Sequence, residues 1–324
     1  MVRFLVYRFF QAFLTLVGVT FLSFLIIKLA PGDYLDELRL NPQISPETIE
    51  RLKQLYGLDQ PIIIQYLKWL KNALLFDLGY SFQYHAPVLD LILERIPNTL
   101  LLTVSSALIA WLLAIPIGTV AAFKENSWFD KLVQAYAYGF MSFPSFFLAF
   151  ILLFFAAKTG VLPIGGIQSP NFEALSPVEK VLDILKHLIV PSLAIALVSL
   201  AGLIRLVRSS VLEVLHSPIV TMLKAKGVGR LTLVKHVLKN AMNPFTTLIG
   251  YEIAGLISGA ALIEIIVGWP GMGTLMLNAV LSQDLFLVMG GLYIGTIMLL
   301  LGNLIADLLL AYIDPRVREK EFLR

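Results

Sequence analysis

Two glutamates lie in one apolar segment near the end of the chain, and their spacing limits what they can do together. Glu252 and Glu264 are twelve residues apart. A pair of carboxyl groups performs acid–base chemistry only when both groups reach the same substrate. On one helix, this separation corresponds to about 18 Å along the axis. The two acids therefore cannot act on one substrate atom, which argues against a membrane-embedded hydrolase.

The other residue types that carry chemistry are missing or scattered. The chain has no cysteine, which excludes disulfides, thiol nucleophiles and zinc sites with thiolate ligands. Its four histidines are far apart in the sequence: His85, His187, His216 and His236. The phosphate-binding pattern GxxxxGK[ST] does not occur, so any ATP must be bound by another chain. We expect no catalytic residue, no metal site and no cofactor in this chain.

The composition is that of a membrane protein. Of the 324 residues, 58% are hydrophobic and 15% are charged, with a mean hydropathy of +0.82, whereas soluble domains have about 25% charged residues. A spanning helix needs about 20 apolar residues. Six segments meet this length: 9–27, 96–123, 132–157, 188–204, 244–266 and 285–313. We expect an all-α polytopic protein in which residues 1–30 form a retained first helix rather than a cleaved signal peptide.

The basic residues predict the orientation of these six spans. Fifteen of the 25 Lys and Arg residues fall in the segments on the same side as the two termini, including seven between residues 205 and 239. Loops rich in Lys and Arg stay in the cytoplasm. We therefore expect both termini, the loop 208–243 and the tail 314–324 to be cytoplasmic.

On the other side, the segment 31–95 predicts a small helical insertion. Ser45 followed by proline is a typical helix start, and an amphipathic helix is predicted from there to residue 55. A second helix over 62–75 places Tyr66 and Trp69 on one side. The insertion either packs over the outer ends of the spans or contacts the substrate directly.

The glycine-rich motif GWPGMG at residues 268–273 follows the fifth predicted span. Glycines permit backbone positions that are closed to other residues, so the motif predicts either a tight turn or an outer gate. We expect Glu264 to brace this turn. The residues assigned to the gate or turn are Glu264, Gly268, Trp269, Pro270, Gly271 and Gly273. A short separate helix is predicted over 177–186, in the preceding outer loop.

The loop 208–243 differs from a flexible linker. Ser217 and Pro218 break the fourth predicted span, with the serine as a side-chain cap. A two-turn helix follows over 219–226, and Gly227 stands where a helix C-cap belongs. A third helix, 231–242, shows Leu231, Val234 and Leu238 on one face. The shape predicts either a rigid element that docks into another protein or a helix on anionic lipid headgroups.

The same loop carries a family resemblance. Ala225-Lys226-Gly227, His236, Lys239-Asn240-Ala241 and Pro244 resemble the conserved loop of ABC importer permeases of the dipeptide, oligopeptide and nickel type. Further matching motifs run through the chain: LAPGD at 29–33, YGLDQP at 56–61, DLGYS at 77–81, RIPNT at 95–99, GWPGMG at 268–273 and DPRVR at 314–318. The long insertion 31–95 resembles that of the B-type subunit of this family.

The resemblance implies a six-helix permease with the type I ABC importer fold, whose core 96–313 contains the loop 208–243. Its implied partners are a homologous C-type permease, two cytoplasmic ATP-binding subunits that hold ATP and Mg, an extracytoplasmic solute-binding protein and the lipid of a bacterial or archaeal inner membrane, with no nucleic acid. The implied cargo is a di- or oligopeptide; an oligosaccharide or a nickel complex is the alternative. A stand-alone secondary transporter is a distant alternative for the function, because the sequence shows no internal repeat.

Residue roles also follow from the resemblance. The element that couples to the ATPase comprises Thr221, Met222, Leu223, Lys224, Ala225, Lys226 and Gly227. Met222 and Leu223 are larger than the usual residues there, so the ATPase cleft should have a matching shape. Glu252 stands where relatives carry a neutral polar residue, and an acid at that depth costs about 2.5–3.5 kcal/mol to insert. We expect it to line the translocation path; the alternative is a paired or protonated structural acid. Asp307 is expected to pair with a basic residue of the loop.

Overall fold

The computed structural model of the chain describes residues 2–29, 32, 35, 39, 45–242, 245, 248, 252 and 260–313. These residues are mostly helical. The helices are α1 (Val2–Leu29), α2 (Pro46–Leu55), α3 (Ile62–Ala73), α4 (Val88–Phe123), α5 (Trp128–Met141), α6 (Ser145–Thr159), α7 (Pro177–Leu215), α8 (Pro218–Ala225), α9 (Arg230–Ala241), α10 (Ala261–Val267), α11 (Met272–Leu281) and α12 (Leu285–Ile313). A short antiparallel pair, β1 (Tyr80–Ser81) and β2 (Ala86–Pro87), precedes α4, and a 3₁₀ turn covers Phe172–Ala174.

Four of the described helices, α1, α4, α7 and α12, are long and apolar enough to cross a membrane. Two bent pairs raise the number to six if each pair is one span: α5 with α6, at 101°, and α10 with α11, at 85°. The predicted span over 132–157 corresponds to the bent pair α5 and α6, whose two helices meet at 101°. The chain breaks at residues 142–144 because Pro144 disfavours helical backbone in the residue before it.

The boundaries of α4 and α7 also differ from the prediction. Helix α4 begins eight residues before residue 96 and includes Pro97 in its interior. The separate helix predicted over 177–186 is the first part of α7, whose start has a capping box in which Ser176 and Glu179 exchange side-chain hydrogen bonds. Of the predicted span 244–266, only the C-terminal part and three single positions lie within the described residues. Helix α11 was not predicted, because the motif GWPGMG at its start resembles a turn.

Small residues allow α4 and α7 to pack closely. Ala110, Ala114, Gly118 and Ala122 recur every four residues on α4, and the three alanines are fully or almost fully buried. A Cβ added at Gly118 would lie 2.8 Å from Val207 Cβ and 2.9 Å from the Ile204 carbonyl oxygen on α7. Such spacing of small residues lets helix backbones approach each other in membranes. Contacts near both ends of the pair follow the same order in the two helices, so α4 and α7 run parallel.

The insertion after α1 packs against the first and last helices. Ser45 caps α2 as predicted, accepting a hydrogen bond from the Thr48 amide at 3.2 Å. The Tyr66 hydroxyl on α3 lies 2.9 Å from the Thr20 hydroxyl and donates to the Val17 carbonyl at 3.1 Å, both on α1. The Trp69 ring meets the Tyr293 ring of α12 edge-on at 5.9 Å. Helix α3 is therefore part of the core and not a mobile appendage.

A buried aspartate fastens the β-hairpin to α12. Asp284 is fully buried, and its carboxylate accepts hydrogen bonds from the Ser81 hydroxyl at 2.6 Å and the Gln83 amide at 3.0 Å. Its other oxygen accepts from the Leu287 amide in the first turn of α12. A carboxylate is stable there because the amides at a helix N-terminus carry partial positive charge.

Candidate functional site

The short helix α8 lies between two abrupt changes of chain direction. Ser217 occupies the N-cap position and Pro218 is the first helical residue. The predicted side-chain cap was wrong, because the Ser217 hydroxyl donates back to the Val214 carbonyl at 2.6 Å. This bond holds the end of α7 instead of the start of α8. The break itself depends on Pro218, whose ring cannot continue the preceding helix.

The C-terminal end of α8 confirms the predicted position of Gly227. Gly227 has φ +70°, a left-handed conformation that favours glycine. Its amide donates to the Lys224 carbonyl at 3.0 Å, and the Val228 amide donates to the Leu223 carbonyl at 3.2 Å. These two bonds form a Schellman motif, a common helix end that satisfies the last carbonyl groups. The helix therefore ends in a fixed geometry.

Most of the residues predicted to couple to the ATPase are exposed. Within α8, Val220 is the buried residue and packs with α7 and α9. Leu223 is half-buried against the same cluster. The exposed members are Thr221, Met222, Lys224, Ala225, Lys226 and Gly227. Of the two bulky residues, Met222 alone projects from the surface, with 49% of its area exposed.

The packed face of α9 is centred on a stripe beside the predicted one, and two of the three predicted residues, Val234 and Leu238, are half-buried. Its buried residues are Leu233, Val237 and Ala241, whereas Leu231 is 88% exposed. Two adjacent apolar stripes satisfy helical spacing on α9, and the sequence pattern does not distinguish between them. Packing against α7 selects the stripe that contains Val237.

An ion pair joins the last third of α7, which precedes α8, to the start of α5. Asp130, in the first turn of α5, is fully buried and faces Arg208 of α7. The guanidinium donates to the two carboxylate oxygens at 2.5 and 2.7 Å, a bidentate arrangement. The Asn126 amide donates to the same carboxylate at 2.9 Å. This pairing was not predicted, because Arg208 and Asp130 are 78 residues apart in the chain.

The second group of predicted residues meets around Glu264, which is fully buried. Its carboxylate accepts hydrogen bonds from the Thr99 hydroxyl of α4 and the Gly273 amide of α11, each at 2.6 Å. The Thr99 oxygen in turn accepts from the Met272 amide at 2.8 Å. One carboxylate thus joins α4, α10 and the N-terminus of α11.

The glycines of this turn leave room for that carboxylate. A Cβ added at Gly271 would lie 2.2 Å from Glu264 Oε1, and one at Gly273 would lie 2.4 Å from the Ala261 Cα. Gly268 ends α10 with φ +68°. The structure therefore brings together the predicted residues of the turn.

Trp269 and Pro270 complete the turn through Asn98, in the first third of α4. The Trp269 ring is fully buried, and its N–H donates to the Asn98 carbonyl at 2.9 Å. The Asn98 side chain donates to the Pro270 carbonyl at 2.8 Å. Asn98 and Thr99 were not among the predicted site residues, because their partners lie more than 160 residues later in the chain.

Two further acids have identified partners. The Trp111 indole N–H of α4 donates to the Glu252 carboxylate, which is half-buried. This bond is consistent with a paired structural acid and does not test the predicted role in the translocation path.

Asp307 forms an ion pair with Arg8 of α1 at 2.5 Å. The predicted pairing with the loop was wrong, because α1 packs along α12. Among the described residues, no three His, Asp or Glu side chains form a group that could hold a metal ion.

Comparisons with known proteins agree with this architecture. The family model "Binding-protein-dependent transport system inner membrane component" matches residues 114–319, and a model for the N-terminal part of such membrane components matches residues 1–103. The oligopeptide transport system permease protein AppB of Bacillus subtilis is 36% identical over 305 residues, which cover 93% of this chain and 95% of AppB.

Two other relatives extend over similar lengths. The dipeptide transport system permease protein DppB of Alkalihalophilus pseudofirmus is 34% identical over 94% of this chain and 95% of its own. A putative peptide permease protein of Brucella suis is 35% identical over 98% of this chain and 99% of its own. The chain therefore belongs to the family of binding-protein-dependent transport system inner membrane components, and it is a multi-pass ABC transporter permease.

Proposed function

We propose that this permease forms half of the translocation pathway of an ATP-driven importer for di- and oligopeptides. The relatives that carry this proposal are named as oligopeptide and dipeptide permeases, and they match nearly the full length of both chains. The other half of the pathway is a homologous C-type permease. A solute-binding protein delivers the peptide from outside, and two ATP-binding subunits hold ATP and Mg on the inside.

The proposed orientation places α8 and both termini in the cytoplasm of a bacterial or archaeal cell, with the chain in the inner membrane. The distribution of Lys and Arg supports it, since seven basic residues lie between residues 205 and 239. In this proposed orientation the turn around Glu264 would lie on the outer side, because α4 and α7 run parallel. From residue 188 to residue 215, α7 is about 40 Å long, so the two sites lie at opposite ends of the same helices.

The observation that carries the coupling role is the shape of α8. It is a two-turn helix with a proline at one end and a Schellman motif at the other, and it exposes most of its surface. An element with fixed ends moves as a rigid body when the protein that holds it moves. Helices α7 and α9, which flank α8 and pack against it, would receive this displacement.

The pair α4 and α7 would then carry the displacement towards the outer turn. Small residues line the contact between the two helices, and Thr99, in the first third of α4, holds Glu264. Glu252, bonded to Trp111 on the same helix α4, is proposed to line the path between the two ends. Movement of α4 would thus reposition both acids together.

The test uses the importer reconstituted in liposomes with its binding protein and ATP-binding subunits. Gly227→Pro should uncouple ATP hydrolysis from uptake of a labelled dipeptide, because proline cannot adopt φ +70° and lacks the N–H that bonds to Lys224. Gly229→Ala is the matched control, since Gly229 has ordinary backbone geometry and open space around it. Normal uptake by Gly227→Pro would reject the coupling role.

The same liposomes test the cargo and the need for partners. Uptake of the dipeptide should require ATP, the binding protein and both permeases, and excess unlabelled oligosaccharide should not compete. Uptake by this chain alone would favour a secondary transporter and contradict the proposal.

A further inference from the structure

Helix α3, in the insertion after α1, has three distinct sides. Three buried residues pack against α1 and α12: Tyr66, Trp69 and Ala73. A second side, the aliphatic side, consists of residues that are each at least half exposed: Ile63, Leu67 and Leu74. A third side, the polar side, consists of exposed or half-buried residues: Gln65, Lys68 and Asn72. At about 3.6 residues per turn, the aliphatic and polar sides are about 150° apart around the helix.

The buried side of α3 lies beside the apolar spans and not above them. The Tyr66 hydroxyl lies 2.9 Å from the hydroxyl of Thr20, which is about 14 Å along the helix axis from Leu29, the last residue of α1. The Trp69 ring meets the ring of Tyr293, which is about 12 Å from the start of α12. Both contacts fall within the stretches of α1 and α12 that are apolar enough to cross a membrane. Because the hydrocarbon core is about 30 Å thick, these contacts of α3 reach into it.

The polar side of α3 faces the ends of α1 and α12 that join the insertion. Its three residues line one cavity together with Phe24 of α1 and with Leu285 and Phe286, the first two residues of α12. These residues are closer to the helix ends than Thr20 and Tyr293 are. Since the aliphatic side is nearly opposite the polar side, it faces along α1 and α12 towards the middle of the membrane. A helix that lies in the membrane interface has this arrangement, with its apolar face towards the acyl chains.

An exposed phenylalanine follows α3 in a conformation that favours glycine. The Phe76 amide donates to the Ala73 carbonyl at 2.9 Å, and the Asp77 amide donates to the Asn72 carbonyl at 3.1 Å. This is the pattern that Gly227 forms at the end of α8, but Phe76 has φ +61°, which is uncommon for a bulky residue. Its ring is 54% exposed. Strain of this kind persists when the surroundings offset it, and an apolar environment around the ring would do so.

The character of the aliphatic side favours lipid over another protein as its surroundings. Contacts between membrane helices are rich in small residues that let the backbones approach, whereas the aliphatic side consists of large branched residues. Lys68 and Lys71 are exposed on the side of α3 opposite Tyr66. Lysine side chains at such a position extend to the headgroups while their stems stay among apolar groups. A protein in the water outside the membrane could not reach a face that points into the membrane.

We propose that α3 lies within the outer leaflet of the membrane and that lipid acyl chains cover its aliphatic side. The exposed residues Leu75 and Phe76 would extend this contact beyond the end of the helix. The choice of the outer leaflet rests on the orientation in the proposed function, whereas the contact with acyl chains does not. Helix α3 would then hold the insertion at a fixed height beside α1 and α12, with its polar side towards the water.

Spin labels measure the surroundings of each side. Because the chain has no cysteine, single cysteines can be introduced and labelled with a nitroxide. The full-length chain, with the subunits that copurify with it, is placed in lipid nanodiscs, and the unsubstituted chain gives the background from those subunits. Collision rates with oxygen and with a water-soluble nickel chelate report the depth of each label. Labels at Leu67→Cys and Leu74→Cys should lie about 5–10 Å below the headgroup boundary, and the matched labels at Lys68→Cys and Asn72→Cys should lie above it.

Two reference positions calibrate the collision rates. Leu22→Cys on α1, where the native side chain is 60% exposed, gives the value for lipid, and Glu50→Cys at an exposed position of α2 gives the value for water. Nickel-chelate rates at Leu67→Cys and Leu74→Cys that equal the rate at Glu50→Cys would overturn the proposal, because the aliphatic side would be in water. Low rates with both reagents would also overturn it, because another protein would then cover this side.

A second measurement uses the unsubstituted chain and does not depend on the folding of any variant. A phospholipid that carries a diazirine in one acyl chain is added to the nanodiscs and activated by light, and mass spectrometry locates the labelled residues. We expect labels on α1 and between residues 63 and 76, and none on α2. Labels on α1 without labels on α3 would contradict the contact with acyl chains.

The outcome can be separated from that of the proposed function. Uptake that needs ATP and the binding protein, combined with water-exposed labels at Leu67→Cys and Leu74→Cys, would reject the lipid contact and leave the importer role standing. Labels in lipid without uptake would support the contact and reject the importer role. In intact cells, a membrane-impermeant maleimide should react with Glu50→Cys; reaction only after the cells are lysed would contradict the outer leaflet and the orientation on which it rests.

Discussion

The turn around Glu264 and the helix α8 are both short interruptions between long apolar helices, but they are held in opposite ways. Glu264 and Trp269 are fully buried and bond to residues of α4 and α11. Helix α8 has one buried residue, Val220, and it exposes six of the seven residues predicted to couple to the ATPase. The difference teaches that the turn uses its groups to hold this chain together, whereas α8 leaves its groups available for another protein.

The largest expected effect tests the internal role of the turn. Glu264→Ala should lower the free energy of unfolding by about 3 kcal/mol, because it leaves the Thr99 hydroxyl and the Gly273 amide buried without their acceptor. Thermal unfolding of the purified protein in detergent, followed by intrinsic fluorescence, measures the change. The control is Glu50→Ala, at an exposed position of α2. Equal melting temperatures of the two variants would show that Glu264 does not brace the turn.

A smaller effect compares glycines of the two regions. Gly273→Ala should destabilise the protein by about 1–3 kcal/mol, because the added methyl group collides with the Ala261 backbone. Gly229→Ala, beside α8, should change the stability by a few tenths of a kcal/mol, since nothing lies within 4 Å of the added Cβ. The same unfolding assay measures both. If Gly229→Ala were the more damaging substitution, the contrast between a filled turn and an open loop would be wrong.

The substitution with the smallest expected effect on stability is in α8, and it is the most direct test of whether the exposed residues of α8 bind another protein. Met222→Ala should change the free energy of unfolding by less than about 0.5 kcal/mol, because the side chain is half exposed and leaves no cavity. It should nevertheless reduce ATP-driven uptake about fivefold, as for truncation of an apolar residue that fills a partner's pocket. Leu231→Ala is the control, since Leu231 is more exposed and outside the predicted docking residues. A fall in melting temperature that accounts for the lost uptake would argue against a docking role.

Local signals in the sequence predicted the ends of α8 and the cap of α2. Proline after serine and a glycine at a helix end act through a few neighbouring residues, so their consequences can be read without the fold. The same holds for the grouping of Glu264 with the glycines that follow it. What local signals could not supply is the third partner, Thr99, which lies 165 residues earlier in the chain.

The sequence-based predictions that differ from the structure share a physical cause. In each case the local sequence allows more than one arrangement, and tertiary packing selects one of them. Helix α9 has two apolar stripes, and contact with α7 decides between them. Several basic residues near the same end of the helices could pair with Asp307. The packing of α1 along α12 selects Arg8. The hydropathy of 132–157 suits one span, and the bend within it follows from the conformational restriction before Pro144.

The break between α5 and α6 has a consequence for how the subunit is made. Residues 141–144 are exposed on the isolated chain, and a helix end leaves its last carbonyl groups without partners in the helix. If the pair crosses the membrane as one span, lipid cannot satisfy these groups, so protein or water must cover them. In the proposed importer, a copy inserted without the second permease would lack part of this cover. If the proposed second permease supplies this cover, the lifetime of the chain in the cell should depend on how soon the two subunits assemble.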